Sequence, residues 1–169
     1  ETRFIRAFWY LRLVQFYGDV PLRSASVNDP TNSSEVQLAD TSKEEIFKSL
    51  IIPDLEFATE NLPDKWDEAY THRATKGTAF AYLSEAYLIM KDYENALANY
   101  DVLINYAENN KKQFAEELKS LYAERGFTKK QLGDTLGADG DFAASGIDIY
   151  EIDKYEPSYS EQQFVVDEY

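Results

Sequence analysis

A mostly α-helical protein assembled from antiparallel helical hairpins is what this sequence predicts, and three observations predict it. Arg73 to Ala107 reads as two helices joined by a short turn at Lys91-Asp92-Tyr93. Ala7-Phe8-x-Tyr10-Leu11 is echoed by Ala79-Phe80-x-Tyr82-Leu83, which suggests two related hairpins. Ser42-x-x-Glu45 is a capping box that opens a further helix through about Asn61.

Taken in order, residues 3 to about 17 form a helix that is apolar nearly all round. Phe4, Phe8, Leu11 and Val14 lie on one side, and Ile5, Trp9 and Phe16 on another. A helix with so little polar face is normally buried on several sides, so Trp9 is expected in the core. Gly18 ends the helix and Val20-Pro21 extends the chain beyond it. From Leu22 to Asp40 the residues turn to Ser, Asn, Asp, Pro and Thr, an unusually long surface loop. The next helix carries Ile46, Leu50, Leu55, Ala58 and Leu62 as its apolar stripe, with Pro53 expected to remove a hydrogen bond and bend it. Leu62-Pro63 stops it.

Asp64 to His72 is a polar loop carrying Trp66 and Tyr70. Two aromatic rings beside carboxylates suit a sugar, whose apolar face stacks on a ring while acids take its hydroxyls. The same pattern suits a loop anchored by its own Trp against the helices. His72, the single histidine, has no triad or ligand spacing around it and reads as structural.

The central hairpin follows. Thr75 caps its first helix, Arg73 is expected to be tied to nearby carbonyls or acids, and Asp92 caps the second helix. Phe80, Leu83, Ser84, Tyr87, Ala96, Tyr100 and Leu103 occupy positions 4, 7, 8, 11, 20, 24 and 27 of a repeat of about 34 residues, the packing positions of a tetratricopeptide hairpin. Small Ser84 and Ala96 let the helices approach while the aromatic residues fill the space around them. Leu103 departs from the usual small residue, and Glu108 from the closing Pro. Such a hairpin is a packing unit and by itself indicates a scaffold.

Beyond Ala107, Asn109 to about Arg125 is predicted as a helix closed by Gly126, with a short helix from Thr128 through Leu136. Gly133 to Asp148, with Asp134, Asp139, Asp141 and Asp148 among Gly and Ala, is expected to be a solvated loop, since a calcium loop would need an EF-hand order that is missing. Ile147 to Ile152 and Gln163 to Val166 read as short strands. Residues 1–107 are thus a helical-repeat region and 108–169 an irregular helix, loop and strand extension of the same domain.

The chain has 169 residues, 44% of them hydrophobic, enough for one domain with a core. Its net charge of −14 argues against nucleic-acid binding, and against DNA contact by Lys129-Lys130-Gln131-Leu132. The absence of Cys excludes disulfides, thiolate nucleophiles and Cys-ligated zinc. No metal or other cofactor is expected. The chain opens at Glu1 already inside a helical pattern and ends on an apolar-acidic run, so it is expected to be a piece of something longer.

Four stretches, in order, resemble the SusD/RagB family of outer-membrane nutrient-uptake lipoproteins. They are Arg6-Ala7-Phe8-Trp9-Tyr10-Leu11 through Gly18-Asp19-Val20-Pro21-Leu22, then Asp54-Leu55-Glu56-Phe57-Ala58, then Leu62-Pro63, then Arg73-Ala74-Thr75-Lys76-Gly77-Thr78-Ala79. The resemblance covers residues 3 to about 107 and does not reach the tail. It implies a SusD-like α-α superhelix at the cell surface, tethered to the outer membrane by an N-terminal lipidated Cys that this chain does not contain. It also implies a SusC-like TonB-dependent transporter as partner, an oligosaccharide, or in some members a peptide, as ligand, and no catalytic residues. Its matching motifs are scaffold motifs, so Trp66 and Tyr70 are glycan-binding candidates from their own loop alone.

The leading expectation is therefore a non-enzymatic oligosaccharide-binding component of an uptake complex. The alternative is a tetratricopeptide-type adaptor for a peptide or protein. A glycoside hydrolase needs two carboxylates across a cleft; among 31 acidic residues such pairs are trivially available, and no distinctive acid motif marks one.

Overall fold

The computed structural model describes residues 1–23, 26–29, 31–70, 72–109, 114–148 and 151–157. Helix α1 (Thr2–Tyr17) ends at Gly18, whose φ of 71° is left-handed and whose N–H donates to the Val14 carbonyl at 3.1 Å. Val20–Pro21 (β1) then pairs antiparallel with Asp40–Thr41 (β2), Val20 opposite Thr41. This ladder closes the base of the predicted loop, which also holds one helical turn, α2 (Ser33–Val36).

Ser42 caps the helix as predicted, its hydroxyl accepting from the Glu45 N–H at 3.3 Å to open α3 (Lys43–Ile46). The Glu45 side chain makes no return bond to the Ser42 N–H, so only half of the capping box forms. The irregularity expected at Pro53 lies upstream of it. Phe47–Ile51 is a π turn in which the Ile52 N–H reaches back to the Phe47 carbonyl, and it runs directly into α4 (Ile52–Asn61), which has Pro53 in its first turn. Ile46, Leu50, Leu55, Ala58 and Leu62 are all buried, joined by Phe47 and Ile51.

Helices α5 (Lys76–Ile89) and α6 (Tyr93–Asn109) are the predicted hairpin. Thr75 and Thr78 form the capping box of α5, and Asp92 accepts from the Asn95 N–H at 3.3 Å at the start of α6. Ser84 and Ala96 are wholly buried beside Tyr100, and Leu83, Tyr87 and Leu103 are buried with them. The echo between α1 and α5 is an echo of burial. Ala7, Leu11, Ala79 and Leu83 are buried, while Phe8, Tyr10, Phe80 and Tyr82 are half-buried. On α1, however, only the Phe4, Ala7, Leu11 and Val14 face is covered. Trp9 is not in the core: it is 60% exposed, and Ile5 and Phe16 are exposed with it, because the elements packed on α1 all lie on its other side.

The C-terminal part is more helical than predicted. One helix, α7 (Ala115–Gln131), runs through Gly126 instead of ending there, and the expected acidic loop is helix α8 (Thr135–Ser145). Gly126 is buried, and a Cβ there would stand 3.3 Å from the Ala138 carbonyl oxygen and from the Asp141 and Phe142 side chains. Glycine therefore marks a close approach of α7 to α8. Asp134 caps α8 by accepting from the Gly137 N–H at 2.9 Å. Asp141 is buried and paired with Arg125 at 2.6 Å and Lys129 at 2.9 Å, so it serves as an internal counter-ion. Ile152 begins a 3-10 turn (Ile152–Lys154), not a strand; Ile149, Tyr150 and Gln163 to Val166 lie outside the described residues.

Successive helices stack, α1 on α4 and the π turn, then α4 on α5, α5 on α6, α6 on α7 and α7 on α8. Ion pairs set their register. Arg6 grips buried Asp54 with two hydrogen bonds of 2.6 and 2.8 Å, joining α1 to α4. Arg12 and Gln15 both donate to Glu85, at 2.9 and 2.8 Å, joining α1 to α5.

Glu124 on α7 faces Tyr100 and Glu85. Burial, with Glu85 adding repulsion, pushes its carboxyl up to about 7, although the hydrogen bond from Tyr100 favours the ionised form. An unfolded chain ionises this group near 4.5, so between about pH 4.5 and pH 7 the folded state alone keeps the proton and stability falls as pH rises. Glu124→Gln should accordingly raise stability by about 2 kcal/mol at pH 8 and have no effect near pH 4, read from denaturant midpoints at both pH values. Gly126→Val should cost about 2–3 kcal/mol because its branched side chain meets backbone on α8. Gly126→Ala should stay within about 1 kcal/mol of the parent, since helix propensity offsets the crowding.

Candidate binding site

The loop between α4 and α5 is the site that the two aromatic residues mark. Leu62-Pro63 ends α4, and the Lys76 N–H donates to the Pro63 carbonyl at 2.9 Å, tying the two ends of the loop together. A 3-10 turn (Glu68–Tyr70) follows, in which the Tyr70 N–H donates to the Asp67 carbonyl at 2.8 Å. Trp66 is half-buried against the main core, and its indole N–H donates to the Ala74 carbonyl at 2.8 Å.

The Arg73 guanidinium joins the rings. It lies 4.0 Å from the centre of the Trp66 ring and 5.5 Å from that of Tyr70, and it pairs with the Glu1 carboxylate. Arg73 was expected to be tied to nearby carbonyls or acids; the acid it meets is Glu1, from the far end of α1 in sequence. The stacking of Arg73 on Trp66 was not read from the sequence, which carries no local signal for it. Tyr70 is 53% exposed, so most of its ring faces solvent. Asp64 and Asp67 are exposed on the same loop, and so is His72. The site is thus a shallow surface with one open ring, one anchored ring and carboxylates able to accept from hydroxyls.

Among the described residues no cluster of His, Asp or Glu could hold a metal ion, and no helix is long and apolar enough to cross a membrane.

Residues 1–88 match a family described as SusD-like, "Starch-binding associating with outer membrane". The chain belongs to this SusD-like family. It is similar to SusD-like protein P2 of Formosa agariphila, 36% identical over 107 residues that cover 62% of this chain and 20% of the relative. SusD-like protein P25 of the same organism is 25% identical over 154 residues, 84% of this chain and 28% of the relative. Among solved structures, a SusD-like protein from Bacteroides fragilis superposes with a TM-score of 0.54 at 32% identity, covering 60% of this chain and 19% of that one. A laminarin-binding SusD-like protein superposes with a TM-score of 0.53 at 29% identity, covering 61% and 22%. The matched region is therefore about a fifth to a little over a quarter of each of these proteins. The loop that carries Trp66 and Tyr70 falls inside the matched residues 1–88.

The two rings differ in what they do for the fold. Trp66→Ala should lower stability by about 2–3 kcal/mol, since packing, an indole hydrogen bond and the Arg73 stack go together. Tyr70→Ala should change it by less than about 0.5 kcal/mol, both read by thermal melting.

Proposed function

We propose that this chain belongs to a non-enzymatic oligosaccharide-binding component of an outer-membrane nutrient-uptake complex, held at the cell surface by a lipid anchor. It would deliver glycan to a SusC-like TonB-dependent transporter. The observation that carries the reading is the match of residues 1–88 to the starch-binding family; the laminarin-binding name of a similar solved structure agrees with it. In this reading Trp66 and Tyr70 contact the glycan. Tyr70 offers its exposed ring to the apolar face of a sugar, Trp66 holds the loop and presents its remaining edge, and Asp64 and Asp67 accept from hydroxyls. A shallow surface of this kind binds and releases without cleaving, as capture and transfer require.

The experiment is a binding screen of the full-length protein against laminarin, starch, other polysaccharides and peptides. The expected result is binding to one glycan class, weakened about 5–10-fold by Tyr70→Ala, or roughly 1 kcal/mol. Unchanged affinity in Tyr70→Ala would move the contact elsewhere. Binding of peptides alone would replace the glycan reading with the adaptor one.

A further inference from the structure

Arg73 touches both aromatic side chains of the loop and also reaches outside it. Its guanidinium lies over the Trp66 ring at 4.0 Å and over the Tyr70 ring at 5.5 Å. Its Nε donates at 2.6 Å to Glu1, the residue that opens α1. The Arg73 backbone N–H donates to the Tyr70 carbonyl at 3.1 Å, closing the turn that follows the 3-10 segment. The next residue, Ala74, accepts from the Trp66 indole at 2.8 Å. The chain at 73 and 74 is thus bonded to both aromatic residues of the loop.

Stability alone is a weak reason for this arrangement. The Arg73 side chain is 41% exposed, and an exposed ion pair contributes little to a fold. A planar guanidinium is suited to another task. It can lie against two rings while its N–H groups fork onto a carboxylate, which the point charge of an ammonium cannot do at once. Trp66, packed on the core and bonded to Ala74, is the platform on which it sits. The consequence falls on Tyr70. With a cation over one face of its exposed ring, the opposite face is the one left for a ligand.

We propose that Arg73 is a positioning residue of the glycan site, holding the Tyr70 ring by one face so that a sugar stacks on the other. This rests on the reading in which Tyr70 contacts the glycan. A sugar that stacks on a freely turning side chain must also stop its rotation, and a ring already held spares that cost. Arg73 acts through the ring and makes no bond to the sugar itself.

The test is a double-mutant cycle in glycan affinity, run on the full-length protein with laminarin, starch and the other polysaccharides of the screen as probes. Arg73→Met removes the charge and keeps an apolar side chain against Trp66; Arg73→Lys keeps a cation without the fork. Thermal melting of the same samples establishes that each variant is folded. Arg73→Met should weaken binding about 3–5-fold in the parent and less than about 1.5-fold where Tyr70 is already replaced by Ala. Arg73→Lys, which serves alone if Arg73→Met does not fold, should weaken it about 2-fold in the parent and leave Tyr70→Ala unchanged. Equal losses in both backgrounds would make Arg73 a direct contact and overturn the proposal. Unchanged affinity with a lowered melting temperature would make it structural only, and would overturn it too. Should Tyr70→Ala bind as the parent does, or no polysaccharide bind, the glycan site itself falls and the proposal with it.

Discussion

Close approach of one helix to the next is the constraint on which the rest of this structure depends. Ala7, Ala79, Ser84, Ala86 and Ala96 are wholly buried, and Gly126 stands where α7 meets α8. Each removes bulk at a contact, so that the large residues beside it can interdigitate. These small side chains bury little area themselves. The driving force comes from Leu11, Phe47, Ile51, Leu55, Tyr100 and Phe142, which can close around them only because the backbones are near. A larger residue at a small position therefore disturbs more than its own site.

Polar contacts then choose one register among the packings that apolar residues alone would allow. Arg6 on Asp54, Arg12 and Gln15 on Glu85, and Arg125 with Lys129 on Asp141 each join two helices through a carboxylate held by more than one donor. Multiple donors matter because a buried carboxylate left with an unfilled oxygen is costly. Glu124 is the exception. It has Tyr100 as a donor, but no cation is among the influences acting on it, and its raised pKa follows from that.

The candidate binding loop is tied to this frame. It connects α4 to α5, its ends are bonded through Lys76 and Pro63, and Trp66 fixes it to the core. Arg73 bridges the anchored ring and the exposed one. Of its two aromatic residues Tyr70 is the one left largely open to solvent, while Trp66 does the anchoring.

Much of this was legible in the sequence wherever the cause is local. Caps at Ser42, Thr75 and Asp92, the stop at Gly18 and the apolar stripe from Ile46 to Leu62 depend on residues within a turn or two of one another, and they form as expected. The hairpin positions were legible too, because their spacing encodes which side chains face a neighbouring helix. The sequence was ambiguous where a residue's role depends on a distant partner. A glycine ends a helix or admits a neighbour, and only the presence of α8 beside Gly126 decides for the second. An aspartate among glycines suggests solvent until Arg125 and Lys129 arrive from another helix. Trp66 and Tyr70 look equivalent until the core takes one of them. The sequence by itself determined the first helix, the capped helix after Ser42, the central hairpin and most of their inward-facing residues, since these follow from local hydrogen bonding and periodicity. Only the tertiary structure decided which helices touch, which acids are buried and which aromatic rings stay open, because those depend on groups brought together from far apart in the chain.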